Sequence, residues 1–249
     1  MVENREIIVG KNPVLEALKA RHPINKIWIA KQNQTGQMKT ILQLAKAQGI
    51  LVQDVPKKKL DELAGSSNHQ GVVASVAAYE YAQIDDLFCL AEKRAEAPFF
   101  LLLDGIEDPH NLGAIIRTAD AAGAHGVIIP KRRAAGLTQT VAKASAGALE
   151  YVPVVRVTNL AQTIDELKER GIWFFGTDAS ASIDYREHSY DLPLCLVIGS
   201  EGKGISRLVK EKCDVLVKIP MIGHITSLNA SVAGSILMYE IFRKRNPIT

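Results

Sequence analysis

Cysteine is scarce in this 249-residue chain: Cys89, Cys195 and Cys213 stand far apart, with no Cys-x-x-Cys pair. That spacing excludes a disulfide framework. With no paired histidine spacing beside it, it also argues against a zinc site, and it suits a reducing cytoplasm. Long apolar runs are missing as well. Stretches such as "FFLLL" (99–103) and "CLVIG" (195–199) fall far short of the ~20 residues needed to cross a bilayer. The N-terminus, "MVENREIIVG", mixes charges and has no apolar centre, so it does not read as a secretory signal. The glycine-rich stretch "IGSEGKGIS" (198–206) lacks the Gly-Lys-Ser/Thr of a P-loop and the G-x-G-x-x-G of a dinucleotide fold. No repeat or low-complexity segment is present. What remains, 47% hydrophobic and 23% charged residues, is an ordinary globular composition for one large domain or two small ones.

The charge is unevenly placed. Residues 1–78 hold 11 Lys/Arg against 6 Asp/Glu, residues 79–98 hold 2 against 5, and residues 99–249 hold 17 against 16. The basic excess, +5 in a chain whose net is +3, therefore sits in the N-terminal third. A basic module beside a neutral one fits a phosphate-backbone binder joined to a catalytic domain, although charge alone fits a solvated surface equally well.

Residues 5–78 read as a small α/β unit. Helical spacing covers 12–20, 38–49 and 58–65, and strands are expected at 24–30, 50–55 and 71–79. Residues 80–98 are acidic, end at Pro98 and read as a connector. From Phe99 onward, continuous apolar runs alternate with helical segments, including one expected over "TQTVAKASAGALE" (138–150). That texture predicts a parallel sheet covered on both faces. The domains are accordingly placed at 1–78 and 99–249, with 79–98 between them.

In parallel sheets, ligands bind beyond the carboxyl ends of the strands, so the residues directly after strands carry the information. In "DGIEDPHNLGAIIRTADAAG" (104–123), Asn111 falls where a helix begins and can cap it. Arg117 lies among Ile115, Ile116 and Ala119, either reaching to solvent or held for an anion. In the second loop, Gly199, Gly202 and Gly204 allow close backbone approach to a ligand, and Glu201 disfavours phosphate there. In "IPMIGHITSLNASVA" (219–233), Ser227 or Asn229 can cap the last helix, and Ala230, Ala233 and Gly234 give that helix a small-residue face. One cap explains one polar residue, but not Ser227, Asn229 and Ser231 together.

These three ordered stretches resemble the motifs of the SpoU/TrmH family of RNA ribose 2′-O-methyltransferases, of the SPOUT class. The likeness lies in Asp108-Pro109, Asn111, Gly113 and Arg117-Thr118; in Gly199, Glu201-Gly202 and Gly204; and in Ile219-Pro220-Met221, Gly223, Ser227-Leu228-Asn229 and Ser231-Val232-Ala233. "GKNPVLEAL" and "HQGVVA" look like the family's small, ribosomal-protein-like RNA-binding domain, so the resemblance spans nearly the whole chain. Its nearest subgroup methylates a guanosine ribose in large-subunit rRNA; alternatives are a tRNA guanosine enzyme or a non-catalytic RNA-binding or ribosome-assembly protein.

The resemblance implies an α/β SPOUT domain tied into a deep trefoil knot and S-adenosylmethionine as cofactor. It also implies a cytoplasmic homodimer acting on RNA, either large-subunit rRNA or its assembly intermediate, with no membrane and no metal. It assigns catalysis to Asn111, Arg117, Glu201, Ser227 and Asn229. Cofactor binding falls to Gly199, Glu201, Gly202, Ile219, Met221, Ser227 and Leu228. RNA binding would fall to Arg117 and to Arg21, Lys57, Lys58 and Lys59 of the basic module. A guanidinium stays protonated and matches phosphate bidentately, which suits Arg117 to positioning at least as well as to proton removal.

Overall fold

The computed structural model describes residues 7–30, 36–77, 79–224 and 227–248. Its contacts divide the chain into two units, residues 1–80 with 136–140, and residues 81–135 with 141–249.

The first unit is built from β1 (Ile7–Val9), α1 (Lys11–Lys19), β2 (Ile24–Ala30), α2 (Gln37–Ala47), β3 (Val52–Val55), α3 (Lys57–Ala64) and β4 (Val72–Val76). The sheet order is β1-β4-β2-β3, parallel only between β2 and β3. The helical spacing read from sequence turns Val14, Leu15 and Leu18 of α1, and Met38, Ile41 and Ala45 of α2, into one core with Ile27, Ile29 and Val72. The strand expected over 71–79 is realised as β4, and its Ala78 lies outside the described residues. β1 escapes sequence reading because three residues are too few to show alternation.

The second unit begins with α4 (Ile84–Arg94). The segment read as a connector is thus part of this unit. Its helix opens with a reciprocal capping box between Gln83 and Asp86, and Leu87 is fully buried in a core with Phe100, Leu102 and Phe174. Next come β5 (Phe99–Asp104), α5 (Pro109–Ala121), β6 (Gly126–Pro130), α6 (Gln139–Ala144), β7 (Val154–Val157), α7 (Leu160–Glu169) and β8 (Trp173–Thr177). The chain ends through β9 (Ile183–Asp184), β10 (Leu194–Gly199), α8 (Arg207–Glu211), β11 (Val215–Lys218) and α9 (Ala230–Arg245). The sheet order is β7-β6-β5-β10-β8-β11-β9, and every pairing is parallel.

Every residue of β10 and all but the last of β5 are buried, as a sheet covered on both faces requires. The long helix expected over 138–150 is interrupted. Ala146 and Gly147 adopt positive φ of 51° and 93°, leaving α6 and a 3-10 turn at Ala148–Glu150. α5 lies close against the chain after it, because a Cβ on Gly113 would fall 2.4 Å from that of Ala144.

Candidate active site

The carboxyl ends of β5, β10 and β11 lie on one side of the parallel sheet, so the three loops read from sequence emerge together. The loop after β10 is locked backbone to backbone. Ser200 and Gly204 exchange N–H···O bonds of 3.1 and 2.8 Å, which turns Glu201, Gly202 and Lys203 outward as a tip. Gly199 must be glycine: a Cβ there would lie 2.1 Å from the carbonyl carbon of Gly204 and 2.3 Å from the Ile205 nitrogen. The loop after β5 lies against this tip, where Gly105 has a φ of +80° and space for a Cβ only 3.3 Å from that of Ser200. Asp104, at the end of β5, accepts a 2.8 Å bond from the Ser206 N–H.

α5 is capped by Asp108, which accepts from the His110 N–H at 2.8 Å, with Pro109 in the first helical position. Asn111 is therefore not the cap. Standing third in the helix, it has its amide free to reach across. Its Nδ2 donates to Glu201 Oε1 at 2.9 Å, and its Oδ1 accepts from Asn229 Nδ2 at 3.0 Å. Asn229 Nδ2 also donates to Glu201 Oε1 at 2.5 Å, closing a three-residue ring. The Ala230 N–H reaches the same carboxylate oxygen at 3.3 Å.

Asn229 does two things at once. Its Oδ1 caps α9, accepting from the backbone of Ser231 and Val232 at 3.0 and 3.2 Å and from the Ser231 hydroxyl at 2.6 Å. Its amide nitrogen ties that helix start to the other two loops. This double use explains why Asn229 and Ser231 stand together on the seam between a core strand and a core helix. Gly234, one turn into α9, lets that helix sit on β10, since a Cβ there would meet Ile198 Cδ1 at 2.7 Å.

Of the five residues expected to carry chemistry, the structure joins Asn111, Glu201 and Asn229. Arg117 and Ser227 stand outside the ring; both are exposed, and neither makes a hydrogen bond or ion pair with the described residues. Six residues beyond Asn111, Arg117 lies roughly 9 Å further along α5 and about 120° around it. Glu201 bonds to Asn111, Asn229 and Ala230 and not to Arg117. Its second oxygen has no partner among the described residues and remains open as an acceptor.

The expected cofactor residues form a different texture. Gly202 and Gly204 have positive φ and open space around their α-carbons. Met221 is 39% exposed, Ile222 is fully exposed, and Ile219 and Leu228 are half-buried. Exposed backbone beside unpartnered apolar side chains fits a group that is part flat ring and part polar chain. Among the described residues, no cluster of three His, Cys, Asp or Glu side chains could hold a metal ion. The cysteines take no part: burial pushes the Cys195 thiol well up and that of Cys213 up to about 12.

Sequence reading missed three features of this region. Thr118 and Ser235 share a 3.1 Å hydroxyl bond that pins α5 to α9. The Asp104 carboxylate fastens the backbone at Ser206. The loop after β6 carries Lys131, Arg132 and Arg133, with Arg156 of β7 beside it, 3.4 Å from the Lys131 carbonyl. This loop is fastened to the loop after β5 by a 2.8 Å bond from the Ala135 N–H to the Ile106 carbonyl. Its signal, three cations directly after a strand, is plain in "PKRR".

Of the basic module's expected RNA-binding residues, Lys57, Lys58 and Lys59 open α3. Lys59 pairs with Glu62 at 3.1 Å, and Lys57 and Lys58 make no ion pair among the described residues. Arg21 lies just past the C-terminal end of α1, a helix length away from Lys11 at its start.

Comparison with known proteins matches residues 98–239 to the SpoU rRNA Methylase family and residues 7–82 to an RNA 2′-O ribose methyltransferase substrate-binding domain. A Bacillus subtilis protein described as a putative TrmH family tRNA/rRNA methyltransferase is 61% identical over 248 residues, covering 100% of this chain and 99% of its own. An AdoMet-bound rRNA methyltransferase from Sinorhizobium meliloti superposes with a TM-score of 0.60 at 28% identity, covering 95% of this chain and 86% of its own. A TrmH/SpoU tRNA modifying enzyme from A. aeolicus superposes at 0.55 with 31% identity, covering 65% of this chain and 83% of its own.

Proposed function

The chain belongs to the SpoU rRNA methylase family and is an S-adenosylmethionine-dependent RNA 2′-O-ribose methyltransferase, and from that premise we propose its substrate: a guanosine ribose in large-subunit ribosomal RNA or an assembly intermediate of that subunit. One observation carries the choice of rRNA. The rRNA methyltransferase of S. meliloti matches 95% of this chain, whereas the tRNA modifying enzyme matches 65%. The substrate-binding match at residues 7–82 is a second folded unit, joined to the methylase. The rival reading, a tRNA guanosine, draws on the dual wording of the B. subtilis relative.

Gly199, Glu201, Gly202, Ile219, Met221, Ser227 and Leu228 are the residues we assign to holding S-adenosylmethionine. They offer backbone and apolar surface, which fits its adenine and its chain. When bound, the cofactor supplies a methyl group on a sulfonium, already activated toward an oxygen nucleophile. The protein's task is then placement. Arg117, exposed and without an ion pair among the described residues, grips the phosphate next to the target ribose and brings the 2′-oxygen into line. The ring of Asn111, Glu201 and Asn229 holds the loop after β10 at the starts of α5 and α9, so that the binding loops keep one geometry. Ser227, two residues before Asn229, presents a hydroxyl to the pocket or the RNA.

A homodimer is part of this reading. Val232, Tyr239 and Phe242, 46%, 49% and 39% exposed, follow one face of α9 at spacings of seven and three residues. An apolar stripe of this kind suits a second copy of the chain. Among the described residues no helix is long and apolar enough to cross a membrane, and we place the protein in the cytoplasm with its RNA.

The deciding experiment is transfer of labelled methyl from S-adenosylmethionine to total RNA from cells lacking the protein, with rRNA and tRNA separated. Label is expected in large-subunit rRNA and is expected to vanish with Arg117→Ala. Label in tRNA alone would overturn the substrate and keep the chemistry. No label in RNA or in ribosomal particles, with no cofactor binding, would overturn both.

A further inference from the structure

The first unit contains a cavity of about 540 Å³, whose walls include Lys11, Met38, Val55, Lys57, Ser67 and Gln70. That size lies within the ~300–1,000 Å³ of small-ligand pockets. Its floor is apolar: Met38 and Val55 are buried, and Ala30 and Pro56 adjoin them. Its rim is cationic, with Lys11 and Lys57 making no ion pair among the described residues. Among those residues no acidic side chain lines it. The starts of α1, α2 and α3 all border it, none has a side-chain cap, and none has an acid in its first turn.

One wall is a loop held under strain. Gln70 sits at a φ of +50°, in the left-handed region that costs a non-glycine residue energy. The loop is pinned from beneath by His69, only 2% exposed. The Gly71 N–H donates to His69 Nδ1 at 2.9 Å, so Nε2 carries the ring proton and donates to Asp61 at 3.1 Å. His69 is therefore structural. Gln70 Oε1 accepts from the Lys11 backbone at 3.1 Å, which leaves its amide N–H groups at the cavity, with the Ser67 hydroxyl close by.

We propose that this cavity takes one unstacked nucleotide of the substrate RNA. The base lies on Met38, Val55 and Pro56, the Gln70 amide and the Ser67 hydroxyl read its edge, and Lys11 and Lys57 hold its phosphates. Single-stranded and bulged RNA presents splayed bases that pack one face on the protein and offer their edges to hydrogen bonds; here aliphatic side chains take the face. The methionine adds a polarizable sulfur contact. A purely electrostatic surface would need neither the apolar floor nor a strained glutamine. The inference rests on RNA being the substrate and adds which feature of it is recognised: an extruded base, held by a unit other than the one that carries the chemistry.

The test is ultraviolet crosslinking of the full-length protein to total RNA from cells lacking it, followed by mass spectrometry of the crosslinked peptides. Nucleotide adducts are expected at Met38, Lys57 or Gln70. Gln70→Gly separates recognition from folding, because glycine adopts the left-handed backbone freely. The variant should melt near the wild-type temperature yet bind RNA about tenfold more weakly, the scale set by the interactions of a single base. Adducts confined to other regions, or wild-type affinity in Gln70→Gly, would overturn the proposal. Methyl transfer measured on the same samples keeps the two readings apart. Transfer without cavity adducts sinks the cavity and leaves the enzyme; cavity adducts with no transfer to RNA or to ribosomal particles and no cofactor binding leave the cavity and sink the enzyme.

Discussion

Asn229 offers the sharpest perturbation, because its two functions reside on different atoms. Its oxygen caps α9, and its nitrogen closes the ring with Asn111 and Glu201. Asn229→Ala removes both. Loss of the cap costs about 1 kcal/mol, a melting shift of roughly 2–4 °C for a chain of this size. Asn229→Asp keeps the cap oxygen and places a negative charge at a helix start, worth roughly 0.3–1 kcal/mol. It also sets a second carboxylate where the donor nitrogen was, beside Glu201. Two such charges about 4 Å apart repel by about 1 kcal/mol in water and about 4 kcal/mol at an effective dielectric of 20. Glu201 is exposed, so the lower figure governs. The two effects nearly cancel, and Asn229→Asp should melt within about 3 °C of wild type while methyl transfer collapses.

The double variant Asn229→Asp with Glu201→Gln turns the ring around. A glutamine amide at 201 now donates to the aspartate, and Asn111 can flip its amide to satisfy both. The pair should be more stable than the two single changes add up to, by about 0.5–3 kcal/mol. Urea unfolding of wild type, Asn229→Ala, Asn229→Asp, Glu201→Gln and the double variant, with methyl transfer measured in parallel, reads this directly. An aspartate variant clearly less stable than the alanine variant, or one that keeps full methyl transfer, would refute the division of labour within Asn229. Strict additivity in the double variant would refute the ring as a coupled unit.

Three further outcomes are expected. Gly199→Ala forces a Cβ into the backbone of Gly204 and Ile205; overpacking of this kind costs about 1–3 kcal/mol or more, so urea midpoints should fall and S-adenosylmethionine binding, measured by calorimetry, should weaken with them. Arg132→Ala with Arg133→Ala should lower the slope of log binding constant against log salt by about 0.7–0.9 for each phosphate no longer neutralised, with little change in melting; an unchanged slope would remove this loop from the RNA-binding surface. His125 is buried, accepts from the Phe99 N–H at 3.0 Å through Nδ1 and lies 2.9 Å from Glu96 through Nε2. Burial, opposed by Glu96, holds its pKa below the ordinary 6.5, so the unfolded chain takes up a proton first as pH falls. Stability should therefore decline as pH drops below about 6.5, and His125→Gln should flatten that part of the urea-midpoint profile.

How far the sequence is legible follows from which interactions are local. β2 and β6 stand at the residues their alternation and apolar run mark, 24–30 and 126–130, because a strand's burial is written in neighbouring side chains. Helix starts are equally local: Asp108, Asn159 and Asn229 each cap the helix that follows. What the sequence does not show is two- and three-residue strands such as β1 and β9, which exist only because a neighbour pairs with them. The break between α6 and the following turn is likewise hidden, since Ala146 in a left-handed conformation has no residue signature.

The site divides along the same line. Asn111, Glu201 and Asn229 can be picked out as polar residues after strands, but their bonds span 90, 28 and 118 positions and have no periodicity to announce them. A cap at Asn111 is a local explanation for a long-range residue; the true cap, Asp108, already meets the local need. A polar residue left over once the cap is assigned is thus the stronger signal. By that criterion Arg117, Ser227 and the Arg132–Arg133 pair are the residues whose partners the described chain does not supply, and they are the ones whose substitution tests the proposed contacts with RNA.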